Sequence, residues 1–90
     1  YVDIDNFNLI NQALGNEIGD KLLAQVADRL QSCLRQVDSI SRRHKDTFVI
    51  LLTQLAKQET AAIIIQRILQ TIRQKFEIDA HELTVTVGIG

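Results

Sequence analysis

The 90-residue chain has a single cysteine, no surplus of charge of either sign, no long apolar run and only four glycines. Each shortage excludes something. One cysteine, Cys33, rules out an internal disulfide, and its place in a stripe of helical period makes it a core residue of a protein kept in a reducing compartment. A formal net charge of -1 leaves no electrostatic footprint for nucleic acid or an anionic membrane surface. No apolar stretch approaches the ~20 residues that a membrane-spanning helix needs. Neither histidine belongs to a zinc pattern: His44 has no second His, Cys or close acid at ligand spacing, and His81 falls in a polar turn. Glycine is missing where it is most expected. Arg43-His44-Lys45-Asp46 separates two extended runs without the Asn-Gly or Gly-Gly that a tight hairpin uses to reach φ > 0.

What is present describes one domain. A hydrophobic content of 46% over this length suffices for a single core and leaves no surplus for a second. The chain starts on Tyr1 without Met and in mid-strand, and ends on Gly90 straight after a strand, so it reads as a piece of something longer. Tyr1 to Asp5 is a short strand with Val2 and Ile4 on one face and Asp3 and Asp5 on the other. Phe7 and Ile10 suit one short helical turn, broken at Leu14-Gly15-Asn16. From Glu17 to about Val37, Leu22, Val26, Leu30, Cys33, Leu34 and Val37 recur at helical spacing, with Asn16 or a neighbour as the cap. Asp38 to Arg42 and Thr47 to Leu52 are the two middle strands. A second helix runs from Ala56 to Phe76 through Ile65, Ile68, Leu69 and Ile72. Asp79 to Glu82 is a polar turn, and Leu83 to Ile89 alternates as a strand.

The order β-α-β-β-α-β predicts an α+β, ferredoxin-like domain: an antiparallel four-stranded sheet with helices on one face. There the first and third strands are central neighbours, so Asp3 and Asp46 converge. Two carboxylates at strand ends can hold Mg²⁺ through oxygen and present it to a triphosphate. From spacing alone the favoured reading is two solvated acids, which are common at element ends.

Asp3-Ile4-Asp5-Asn6-Phe7-Asn8-Leu9-Ile10-Asn11 followed by Gly15-Asn16-Glu17-Ile18-Gly19-Asp20-Lys21-Leu22-Leu23 resembles the opening of a GGDEF domain, the family of bacterial diguanylate cyclases. Arg42 and Phe48 fall where that family has the arginine before, and the phenylalanine closing, its signature turn. Thr84-Val85-Thr86-Val87-Gly88-Ile89-Gly90 is similar to its last core strand. The resemblance covers residues 1–90 and implies the central part of such a domain, a nucleotide-cyclase-like palm, without its leading N-terminal helix and its C-terminal segment.

By that resemblance, Asp3, the backbone carbonyl of Ile4 and Asp46 are the metal ligands, with Mg²⁺ the implied ion. Asn11 and Asp20 bind the guanine edge of GTP, where an amide and a carboxylate reject adenine by leaving groups unpaired. From the residues alone, Asn11 is a surface amide and Asp20 a first-turn acid favoured by the helix dipole. The signature itself departs from the family. His44-Lys45-Asp46-Thr47-Phe48 has side chains in place of both glycines, which predicts a turn that is strained or of another type. Thr47 replaces the acid that assists activation of the attacking 3′-hydroxyl, so the resemblance assigns no catalytic residue. Lys45 is either a phosphate contact or a solvated turn lysine.

Arg35-Gln36-Val37-Asp38 matches the family's inhibitory site for cyclic di-GMP, in which Arg35 and Asp38 hold the ligand; its other reading is a helix-end arginine near the C-terminal dipole. Three functions stay open. One is a catalytically impaired regulatory module of cyclic di-GMP signalling that binds GTP or cyclic di-GMP and acts on a linked domain, such as an EAL phosphodiesterase or a sensory domain. Another is an active, homodimeric diguanylate cyclase, and the third an interaction domain with a decayed site. A cytoplasmic location, as a separate protein or as part of a membrane-anchored one, goes with all three.

Overall fold

The computed structural model describes residues 1–54 and 57–90. Its elements are β1 (Val2–Ile4), α1 (Phe7–Leu14), α2 (Asn16–Cys33), β2 (Ser39–Arg42), β3 (Thr47–Leu51), α3 (Gln58–Ile72), β4 (Phe76–Ile78), β5 (His81–Leu83) and β6 (Val87–Ile89). Four strands form an antiparallel sheet in the order β2-β3-β1-β6, with β1 and β3 at its centre as the α+β reading requires. Register follows the pleat. Val2 faces Phe48 and both are buried, whereas Asp3 faces Thr47 on the opposite side of the sheet. The helices cover the first of these faces. Leu22, Val26, Leu30 and Cys33 of α2 meet Ile64, Ile68 and Ile72 of α3 in one core with Val2, Ile4 and Phe48. Cys33 is buried among them.

Several elements differ from expectation, each for a physical reason. The short turn after β1 is a complete eight-residue helix, α1, closed by Gly15 at φ 93, a conformation open to glycine. Helix α2 stops at Cys33 instead of about Val37, because the Asp38 carboxylate takes the Arg35 backbone N–H and bends the chain out of the helix. Val37, expected in the stripe, is exposed. Helix α3 stops at Ile72 instead of Phe76. Arg29 of α2 caps that end, its guanidinium donating to the carbonyls of Thr71 (3.3 Å), Gln74 (2.6 Å) and Lys75 (2.6 Å) and lying 3.6 Å above the Phe76 ring. The expected start of this helix at Ala56 lies outside the described residues.

Phe76 instead opens a separate two-stranded hairpin, β4–β5, and the expected strand from Leu83 to Ile89 divides between β5 and β6. The hairpin turns on Asp79 (φ 47) and Ala80 (φ 72), the two positive φ values of a type I′ turn. Lys21 of α2 pairs with Asp79 across this turn. Alanine pays a steric penalty in that region that glycine does not. Ala80→Gly is therefore expected to stabilise the fold by about 0.5–1 kcal/mol, read as a rise of a few degrees in Tm.

Candidate functional site

The β2–β3 connection is an open loop, Arg43 to Asp46, closed by the Arg43 N–H donating to the Thr47 carbonyl at 2.9 Å. Among the described residues, the non-glycine residues at positive φ are Asn6, Gln54, Asp79 and Ala80. His44 and Lys45 are thus accommodated by a change of turn type and not by strain. The loop brings Lys45 against the cleft between α1, α2 and the end of β2.

That cleft is a cavity of about 320 Å³ lined by Phe7, Asn11, Asn16, Asp20, Leu23, Arg42 and Lys45. Asn11 comes from α1 and Asp20 from α2, and the two helices approach closely enough to share the cavity because residue 19 is glycine. A β-carbon there would stand 1.8 Å from Asn11 Oδ1 and 3.3 Å from the Phe7 ring. Asn11 Oδ1 is buried without a hydrogen-bond partner. An amide that the protein does not fix can turn and present either its acceptor or its donors to a ligand. A second cavity of about 350 Å³ continues along α2 and shares Asp20, Leu23 and Arg42 with the first. Arg42 reaches both because its register partner is Phe48, on the helix-covered face. Of these lining residues, sequence reading singled out Asn11 and Asp20 as ligands, and Lys45 as one of two alternatives. Arg42 served there only as a landmark, Phe7 as helix spacing and Asn16 as a cap.

At the adjoining end of the sheet, formed by the central strands β1 and β3, the Ile4 N–H donates to the Asp46 carbonyl at 3.1 Å, which sets Asp46 beside β1. Thr47 Oγ1 donates to Asp3 Oδ1 at 2.5 Å. The hydroxyl that replaces the expected acid thus binds the neighbouring carboxylate. Asp5 is engaged similarly from the other side, by Thr86 Oγ1 at 2.7 Å and through its own N–H to the Thr86 carbonyl at 3.0 Å. Among the described residues, no three or more His, Cys, Asp or Glu side chains gather as a metal cage. This end of the sheet offers oxygen donors from Asp3, Asp46 and the Ile4 carbonyl, the chemistry of an ion that takes one or two carboxylates and completes its shell with water and phosphate.

Arg35 and Asp38 lie at the other end of β2 and are bound to each other. The Arg35 guanidinium donates to both carboxylate oxygens, at 3.0 and 2.7 Å, and to the Thr53 carbonyl at 2.7 Å. The Asp38 side chain is fully covered, while that of Arg35 keeps 31% of its surface. Hydrogen bonds from Arg35, stronger than the opposing cost of desolvation, hold the Asp38 carboxyl down at about 2, from an ordinary 3.8. A depressed pKa contributes stability that is complete above the unfolded-state value and disappears as pH falls through the folded one. Asp38→Asn is expected to lower Tm by roughly 5–10 °C at pH 7. The gap to the unsubstituted protein should narrow between pH 4 and about 2, as followed by thermal melts across that range.

Three comparisons with known proteins agree. The family model described as "Diguanylate cyclase, GGDEF domain" matches residues 1–90. The chain is 33% identical over its full length to the bifunctional diguanylate cyclase/cyclic di-GMP phosphodiesterase MucR of Pseudomonas aeruginosa, of which it spans 13%. Among solved structures, an EAL/GGDEF domain protein from M. capsulatus superposes with TM-score 0.89 at 35% identity, covering 96% of this chain and 56% of that one. The GGDEF domain of TpbB from Pseudomonas aeruginosa gives TM-score 0.92 at 30% identity, covering 96% and 54%.

Proposed function

Because the chain belongs to the diguanylate cyclase GGDEF domain family, we propose that it is a guanine-nucleotide-binding regulatory module of cyclic di-GMP signalling whose own cyclase chemistry is impaired. The observation that carries this reading is the contrast between two neighbouring places. In the cleft, Asn11 and Asp20 share one cavity, and Asn11 keeps a buried acceptor without a protein partner. At the end of the sheet, Thr47 stands in place of an acid and binds Asp3. The first supports recognition of the guanine edge of GTP by the Asn11 amide and the Asp20 carboxylate. The second removes a charge and a proton acceptor from the place where the 3′-hydroxyl is activated.

Asp3, Asp46 and the Ile4 carbonyl would hold Mg²⁺. When bound, that ion supplies charge neutralisation for the triphosphate. Asp3 would offer the metal an oxygen while accepting from Thr47 Oγ1, and Asp46 is set beside β1 by the backbone bond from Ile4. Phosphoryl transfer rests mainly on positioning and charge neutralisation, so losing an acid here depresses turnover more than binding. Homodimeric contacts belong to the active-cyclase alternative, since making cyclic di-GMP requires two GTP-loaded protomers to face each other.

The Arg35–Asp38 fork extends the reading to cyclic di-GMP. Arg35 offers the free edge of its guanidinium to a guanine or phosphate, and Asp38 acts by fixing that guanidinium in place. Nucleotide occupancy would be passed to a linked module such as an EAL phosphodiesterase or a sensory domain, in the cytoplasm. MucR and the M. capsulatus EAL/GGDEF protein both join these activities or domains by name. Calorimetric titration with GTP and with cyclic di-GMP tests the proposal. Binding of either at micromolar concentration is expected. Folded protein that gives no heat with both would leave only the interaction-domain reading.

A further inference from the structure

We propose that Lys45, together with Arg42, forms a phosphate-binding cation pair that lets the Asn11–Asp20 cleft hold a guanine nucleotide without a divalent metal. The inference rests on the guanine-nucleotide reading above and concerns how the phosphates are neutralised. Two observations carry it. Lys45 and Arg42 line the same cavity as Asn11 and Asp20, although they come from different elements, the β2–β3 loop and the end of β2. Among the described residues, the ion pairs of the chain engage Lys21, Arg35 and Lys75, and none engages Arg42 or Lys45. Two basic residues outside any ion pair therefore line a cavity whose single acid is Asp20, and an anionic ligand group is the partner their charge calls for.

The geometry distributes the work. The Asp20 carboxylate suits the donor edge of a guanine, and the Asn11 amide, whose Oδ1 lies unpartnered against Gly19, can turn to join it. The guanidinium of Arg42 offers a planar fork, and the Lys45 ammonium a compact charge on a flexible stem, which suits a phosphate group without fixing its orientation. Because His44 and Lys45 sit in ordinary negative-φ backbone, the loop carries this lysine without strain. The exchange of a bare-backbone turn for a basic one thus moves neutralising charge from a metal ion to the protein, next to the sheet end where Thr47 has removed an acid. Such a site retains nucleotide under conditions in which Mg²⁺ is withheld.

The test is titration of the protein with GTP in EDTA and in Mg²⁺, for the unsubstituted chain and for Lys45→Ala and Arg43→Ala. Arg43 neighbours Lys45 in the loop but does not line the cavity, so it reports generic surface charge. GTP is expected to bind in EDTA within about threefold of its affinity in Mg²⁺. In EDTA, Lys45→Ala should lose about tenfold and Arg43→Ala less than twofold. Binding only in Mg²⁺, or equal losses for the two variants, overturns the proposal and leaves the nucleotide site itself standing. Absence of GTP binding under both conditions overturns the site and this proposal together.

Discussion

Phe76→Ala is expected to remove about 3–5 kcal/mol from the stability of the fold, the range for deleting a buried aromatic ring from a close-packed core. Phe76 is 0% exposed. Its ring packs into the core that β1, β3, α2 and α3 share, and Arg29 stacks on its face at 3.6 Å. The same arginine holds the carbonyls that end α3, so truncation also loosens that cap. A domain of this size has a stability of ~5–15 kcal/mol at most, and each kcal/mol corresponds to ~4–8 °C. Thermal denaturation should show Tm lowered by roughly 15–30 °C, or no cooperative transition. A drop of only a few degrees would mean that the ring does not occupy the core. Phe76→Leu, which refills most of the volume, should recover more than half of the loss.

Asp20→Ala is expected to weaken GTP binding about 10–100-fold, the effect of removing a charged acceptor from a hydrogen-bonded ligand. Asp20 is exposed on the first turns of α2, where nothing in the core depends on it. The variant should therefore fold with unchanged Tm, which separates lost recognition from lost structure. Discrimination should fall in parallel. The affinity ratio of GTP to ATP is expected to shrink towards one, because the carboxylate that favours a donor edge and repels an acceptor is gone. Titration of both nucleotides against both proteins reads this directly. Unchanged GTP affinity in Asp20→Ala would return Asp20 to a helix-start acid with no ligand role. Arg35→Ala, at the far end of β2, should leave GTP affinity unchanged and reduce cyclic di-GMP affinity.

The sequence was most legible where side chains alternate or recur against one core. Val2 and Ile4 gave the first strand, the α2 stripe gave its buried face, and the strand order followed from the alternation of elements. It was least legible where a long-range polar contact decides an element's end. Nothing local distinguishes Phe76 as the last turn of α3 from Phe76 as the first residue of β4. The difference lies in Arg29, far away in the chain, which caps α3 at Ile72. Likewise the Val37 that continues a helical stripe is exposed, because Asp38 and Arg35 lock the chain out of helix. For the cleft, Asn11 and Asp20 carried a readable resemblance. Gly19 and Arg42 act through close approach and strand register, and neither is visible until the helices and strands have been placed. Lys45 is a different case. Its charge was plain in the sequence, and the direction of its loop was not.

That direction matters for the loop's chemistry. A hairpin that kept both glycines would bring bare backbone to the nucleotide. This one sets a lysine at the lining of the Asn11–Asp20 cleft, and its Thr47 is hydrogen-bonded to the Asp3 carboxylate. On the function proposed above, binding and turnover are separated in one loop: Asn11 and Asp20 remain in the cleft, while Thr47 stands where the family has an acid.

The separation is tested most directly by incubating the protein with saturating GTP and Mg²⁺ and measuring the cyclic di-GMP formed per GTP bound. Stable GTP binding with less than one product molecule per protein over an hour is the predicted result. Steady formation of cyclic di-GMP over many turnovers would contradict it and identify the chain as an active cyclase despite Thr47.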